Sequence, residues 1–79
     1  MSLIERVLII IEGQLGVKHT QITVDTRFID DLGADSLSGL ELIMALEEEF
    51  NITITDVEAE RVRKVGDIIE LLKSKGVTE

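Results

Sequence analysis

Aliphatic residues return at helical intervals in three separate stretches of this chain, and that periodicity limits what it can fold into. Ile4, Val7, Leu8, Ile11 and Leu15 mark the first stretch, Leu42, Ile43, Leu46 and Phe50 the second, and Val65, Ile68, Ile69 and Leu72 the third. Each set falls on one face of an α-helix. Ser2 and Glu5 stand at capping-box spacing ahead of the first helix, which closes near Gly16. The second runs from Ser36 to Phe50 without a proline. Thr55 and Glu58 form another capping pair, opening a short helix to about Val62, and Lys73, Lys75 and Gly76 close the last one. The expected fold class is therefore all-α, a four-helix bundle with a short third helix and a long loop between helices 1 and 2. A chain of 79 residues supports one core and no more, so residues 1–79 are read as a single domain.

The long loop is the irregular part. Residues 17–35 show no helical period; Ile22 and Val24 alternate with Gln21, Thr23 and Asp25, which suits an extended segment resting on the bundle. Asn51-Ile52-Thr53-Ile54-Thr55 alternates as well, but two such short segments make a marginal pair, and residues 51–55 are read as loop. A connection as long as 17–35 is uncommon in a small domain unless it has a function. This one delivers Asp35-Ser36.

Composition removes several functions. The chain has no cysteine, which excludes disulfides, thiolate metal sites and a cysteine nucleophile, so any thiol chemistry must be imported. The single His19 lies in a polar stretch and is assigned no chemistry. A formal net charge of −8 argues against nucleic acid, whose phosphates require clustered Lys and Arg. The distribution of charge says more. No basic residue occurs between Arg27 and Arg61, while the same segment holds Asp30, Asp31, Asp35, Glu41, Glu47, Glu48, Glu49, Asp56, Glu58 and Glu60. A field of this sign draws in basic partner surfaces. Asp30, Asp31 and Asp35 lack the alternating spacing of a calcium loop, so no metal ligands are assigned. No base, nucleophile and oxyanion set can be assembled, and no catalytic residue is assigned. No apolar run approaches a membrane span, and the start of the chain lacks a secretory layout, so a soluble, cytoplasmic monomer is expected.

The second helix carries more apolar surface than a core needs. Leu42, Ile43, Leu46 and Phe50 take the core face, whereas Leu37, Leu40 and Met44 fall roughly opposite, beside Glu41 and Glu48. A bundle this small does not bury both faces of one helix. The expectation is an exposed apolar strip edged with carboxylates, as suits a docking surface.

Gly33-Ala34-Asp35-Ser36-Leu37 occupies the loop-to-helix junction. By local physics alone a serine there reads first as an N-cap hydroxyl. A hydroxyl at that place is also exposed, and a phosphate attached to it meets the positive end of a helix. The run from Asp30 to Leu37, followed by Glu41-Leu42 and by Met44-Ala45-Leu46-Glu47-Glu48-Glu49-Phe50, resembles the signature of bacterial-type acyl carrier proteins, and the likeness extends from the first helix to Ile69. The resemblance implies a four-helix bundle and a 4′-phosphopantetheine arm, taken from coenzyme A by a separate phosphopantetheinyl transferase and attached at Ser36. It implies acyl groups carried on that arm as thioesters in fatty acid or related acyl or polyketide biosynthesis. It also implies docking of synthase enzymes and acyltransferases through basic patches on Asp35, Leu37, Leu40, Glu41, Met44, Glu47 and Glu48, and a bundle interior that shelters acyl chains. The chain departs from the pattern at Ser38 and Gly39, where many relatives have an acidic residue followed by Thr or Ala, at Thr55, where a proline is common, and at Arg63 and Lys64, where hydroxyl residues are frequent. Two other functions fit the residues: a carrier of aminoacyl groups, and an unmodified acidic interaction module in which Ser36 only caps its helix.

Overall fold

The computed structural model describes residues 2–78. Four α-helices follow one another, α1 Leu3–Leu15, α2 Ser36–Phe50, α3 Asp56–Arg61 and α4 Val65–Ser74, with a single 3-10 turn at His19–Gln21. Among the described residues there is no strand. The all-α expectation holds, with its short third helix and its long first loop. The side chain of His19 lies outside the described residues.

The helices form where the local chemistry favours them. The Ser2 side chain accepts the Glu5 N–H at 3.2 Å and its hydroxyl reaches the Glu5 carboxylate at 3.0 Å, so the start of α1 is closed from both sides. Val7 and Ile11 of α1, Leu46 of α2 and Val65, Ile68 and Leu72 of α4 are essentially sealed from water and form the centre of the core. Aliphatic burial of this kind is the main force holding the bundle together. Helix α1 packs most extensively on α2. Arg6 reinforces that contact, donating to Glu49 at 3.1 Å with its guanidinium 4.6 Å from the centre of the Phe50 ring.

The first loop is more structured than an extended segment. Ile22 and Phe28 enter the core, a turn closes between Thr23 and Thr26, and Arg27 makes an isolated antiparallel bridge with Lys64. Its partner is the α3–α4 junction rather than the alternating 51–55 segment. The cause is the start of α4. Lys64 occupies the N-cap position; its carbonyl accepts the Asp67 N–H at 3.0 Å, but its side chain has no oxygen to offer the N–H groups of Val65 and Gly66. The Thr26 carbonyl accepts Val65 N–H at 3.0 Å and the Val24 carbonyl accepts Gly66 N–H at 2.8 Å, while Asp67 reaches back to the N–H groups of Arg63 and Lys64 at 3.0 and 3.1 Å. Positive side chains at the start of α4 are tolerated because the loop and Asp67 supply the missing acceptors.

Gly66 is where this clasp is tightest. A Cβ there would stand 3.1 Å from the Val24 carbonyl oxygen, whereas a Cβ on Gly13, in the same helical conformation on α1, would meet nothing within 4 Å. Replacing a helical glycine by alanine is worth up to about 1 kcal/mol when nothing opposes it. Gly13→Ala should therefore raise the melting temperature, and Gly66→Ala should lower it despite the same gain in helix propensity. Equal stabilisation by both in thermal melts would show that the clasp yields.

Candidate functional site: an exposed serine at the start of α2

The turn before α2 is wound by its own backbone. Arg27 N–H and the Arg27 guanidinium hold Asp31 through one backbone bond of 2.8 Å and two side-chain bonds of 3.2 Å. Ala34 N–H returns to the Phe28 carbonyl at 2.9 Å. Gly33 takes φ +67°, a left-handed conformation that costs glycine nothing and most other residues appreciably. Ala34 is buried beneath the turn. This is the physical content of the Gly33-Ala34 pair: one residue reverses the chain and the other anchors it, so that Asp35 and Ser36 emerge outside.

The helix is capped by Asp35, not by Ser36, which corrects the N-cap assignment that local physics favoured. The Asp35 carboxylate accepts Ser38 N–H at 2.8 Å and the Ser38 hydroxyl at 3.0 Å, and Asp35 N–H donates to that hydroxyl at 2.9 Å. The departure at Ser38 thus has a role, as the reciprocal partner in a capping box. Ser36 is the first helical residue; it is exposed, and among the described residues its hydroxyl has no hydrogen-bonding partner. The positive end of α2 already holds a carboxylate, so an anion on Ser36 would share that end with Asp35. What the structure offers at Ser36 is therefore a free, accessible hydroxyl rather than a vacant anion site.

Beyond Ser36, α2 presents the strip anticipated from its period. Leu37, Leu40 and Met44 are 65%, 56% and 58% exposed, far from core values, with Glu41 and Glu48 exposed beside them. Glu47 is set apart from them. Its carboxylate turns inward and accepts Ile54 N–H at 2.9 Å, tying down the α2–α3 loop. Three consecutive glutamates therefore do three things: Glu47 holds the loop, Glu48 faces outward and Glu49 pairs with Arg6. Helical phase separates these roles, because each residue turns the side chain by ~100°. Three exposed apolar residues, Ile9, Ile29 and Val57, are not singled out by the sequence, because none belongs to the stripes its helical period marks.

Among the described residues no group of three or more His, Cys, Asp or Glu side chains is arranged to hold a metal ion. Among the described residues no helix is long and apolar enough to cross a membrane. The interior is filled by its own side chains, Ile11, Leu46, Ile68 and Leu72 among them, so a guest chain enters only by displacing them.

Comparison with known proteins bears directly on this geometry. The family model of the phosphopantetheine attachment site matches residues 5–72. An acyl carrier protein of Clostridium acetobutylicum is 56% identical over 70 residues, spanning 89% of this chain and 91% of its own. The structure of a putative acyl carrier protein from Mycobacterium tuberculosis superposes with a TM-score of 0.85 at 33% identity, covering 91% of this chain and 96% of the other.

The cap makes a pH prediction. Hydrogen bonds from Ser38, its N–H first and its hydroxyl second, hold the Asp35 carboxyl below the ordinary aspartate value. The stability this cap contributes is fully present above that ordinary value and is lost as pH falls through the lowered folded one. In an NMR titration the Asp35 side chain should show a depressed midpoint, and Ser38→Ala should shift it upward. A midpoint unmoved by Ser38→Ala would remove the Ser38 hydroxyl from the cap.

Proposed function

The chain belongs to the phosphopantetheine-bearing acyl carrier proteins, and on that premise we propose that Ser36 is the residue that bears the arm. The protein carries acyl intermediates in biosynthesis and its cofactor is covalently attached 4′-phosphopantetheine. It is a carrier, and the chemistry belongs to the enzymes it visits. When attached, the arm supplies the thiol that a cysteine-free chain lacks, and tethering makes delivery of the acyl group to each enzyme effectively intramolecular. The observation that supports Ser36 is its unpartnered, exposed hydroxyl at the point where Gly33 and Ala34 turn the chain outward. With no base beside it, that hydroxyl is inert until a transferase activates it.

The partners that suit this surface are a phosphopantetheinyl transferase and fatty acid or polyketide synthase enzymes and acyltransferases with basic patches, working in the cytoplasm. Leu37, Leu40 and Met44 supply the apolar contact, and Glu41 and Glu48 the steering charge. Asp35 and Glu47, both engaged within the chain, shape the surface more than they meet the partner. The acyl class is open to a direct test, since loading of the modified protein by a fatty acyl synthetase separates an acyl carrier from an aminoacyl one.

Incubation with coenzyme A and a phosphopantetheinyl transferase should add one phosphopantetheine by intact mass, and Ser36→Ala should add none. Equal labelling of the two proteins would overturn the assignment. Among the glutamates, Glu48→Lys should slow loading about ten-fold, the scale of a ~1.4 kcal/mol contact, with little change in stability. Glu47→Ala should do the reverse, costing about 1–2 kcal/mol in denaturant melts by leaving Ile54 N–H unpaired. Indistinguishable behaviour of the two variants would sink the division of roles.

A further inference from the structure

The α1–α2 side of the bundle carries a second surface, part apolar and part acidic, that the fold does not use. Ile9, Ile10 and Gly13 of α1 and Ala45, Glu48 and Glu49 of α2 line an open groove of about 460 Å³. Ile9 is 48% exposed although Val7 and Ile11 on either side are fully buried, so α1, like α2, has apolar residues on a face turned away from the core. Gly13 contributes an open stretch of helix: no atom would touch a Cβ placed there, and its backbone conformation does not require glycine. Nothing inside the protein accounts for either residue.

The charge around the groove selects its occupant. Among the described residues Glu48 has no ion-pair partner, and Arg6, which reaches the adjacent Glu49, is committed to that carboxylate and to Phe50. The rim is therefore net acidic. It disfavours anionic ligands and lipid headgroups, and the net charge of −8 disfavours a second copy of the chain. Glu48 also belongs to the outward face of α2, so the groove is continuous with the Leu37–Met44 strip.

We propose that this groove seats an amphipathic basic segment of a partner protein, an apolar side chain lying across Gly13 and Ala45 and a Lys or Arg meeting Glu48. The proposal deepens the docking role assigned to α2 and rests on it: a partner engaged on the strip reaches over Glu48 onto α1. Groove binding by an amphipathic helix is a recurrent way to combine such contacts.

The test uses the whole chain, labelled with nitrogen-15, and as probe a peptide of about 18 residues with Lys on one helical face and Leu with one Trp on the other, a length sufficient for several turns. The amides of Ile9, Gly13 and Ala45 should shift with one saturation curve, and added salt should weaken it. Gly13→Leu places a side chain in the groove from a Cβ that meets nothing within 4 Å, and should melt no lower than the unsubstituted chain while losing about ten-fold or more in affinity. Ile9→Ser, at a side chain already exposed, gives the same readout should the leucine variant fold poorly. Shifts confined to residues 37–44 would overturn the groove and leave docking on the strip intact, whereas no shifts at either place would overturn both. Equal binding of a peptide with Glu in place of Lys, or dimerisation of the chain through Ile9, would overturn the basic occupant.

Discussion

Two backbone hydrogen bonds, from Val65 and Gly66 to the carbonyls of Thr26 and Val24, fix the first loop against the start of α4, and the placement of the serine depends on them. They close the start of a helix whose N-cap position is a lysine, and they draw the first loop down onto the bundle so that Ile22 and Phe28 are buried. From Phe28 the chain can then turn outward through Gly33 and present Asp35 and Ser36 at a defined place. Without that clasp the loop would contribute only entropy, which for a long flexible connection opposes folding. The exposed serine is thus a property of the loop and α4 together, and α2 alone would not position it.

The acidic character of the chain has two separate uses. Asp31, Asp35, Glu47, Glu58 and Asp67 each accept a backbone N–H, from Arg27, Ser38, Ile54, Thr55 and Arg63 with Lys64 respectively. These carboxylates replace hydrogen bonds that helix ends and loops would otherwise leave to water. Among the described residues Glu41 and Glu48 make no such bond, and they face outward beside Leu37, Leu40 and Met44. The charge that faces outward is thereby separate from the charge that maintains the fold.

The departures from the acyl carrier pattern find physical accounts of the same kind. Ser38 gives up a surface charge and completes the cap with Asp35. Thr55 accepts Glu58 N–H and receives the Glu58 carboxylate on its own N–H, so α3 starts without a proline. Arg63 and Lys64 are compensated by Asp67 and by the loop. Gly39 has open space where its Cβ would be, and nothing in the structure explains it.

By itself the sequence determined the helices, the caps at Ser2 and Thr55, the family, and the outward strip of α2, because all of these are written in short-range spacing: i and i+3 for caps, a 3.6-residue period for faces. The assignment of the α2 cap was the local exception, since neighbouring Asp35 and Ser36 are both good caps and backbone conformation alone chooses between them. Tertiary structure decided which segment the first loop joins, which glutamate faces outward and which holds a loop, and why Gly66 is a glycine. The physical reason is common to all three. A short alternating segment such as 21–25 will pair with any free edge, and the free N–H groups at the start of α4 become its partner only once the bundle has brought residues more than thirty positions apart into contact.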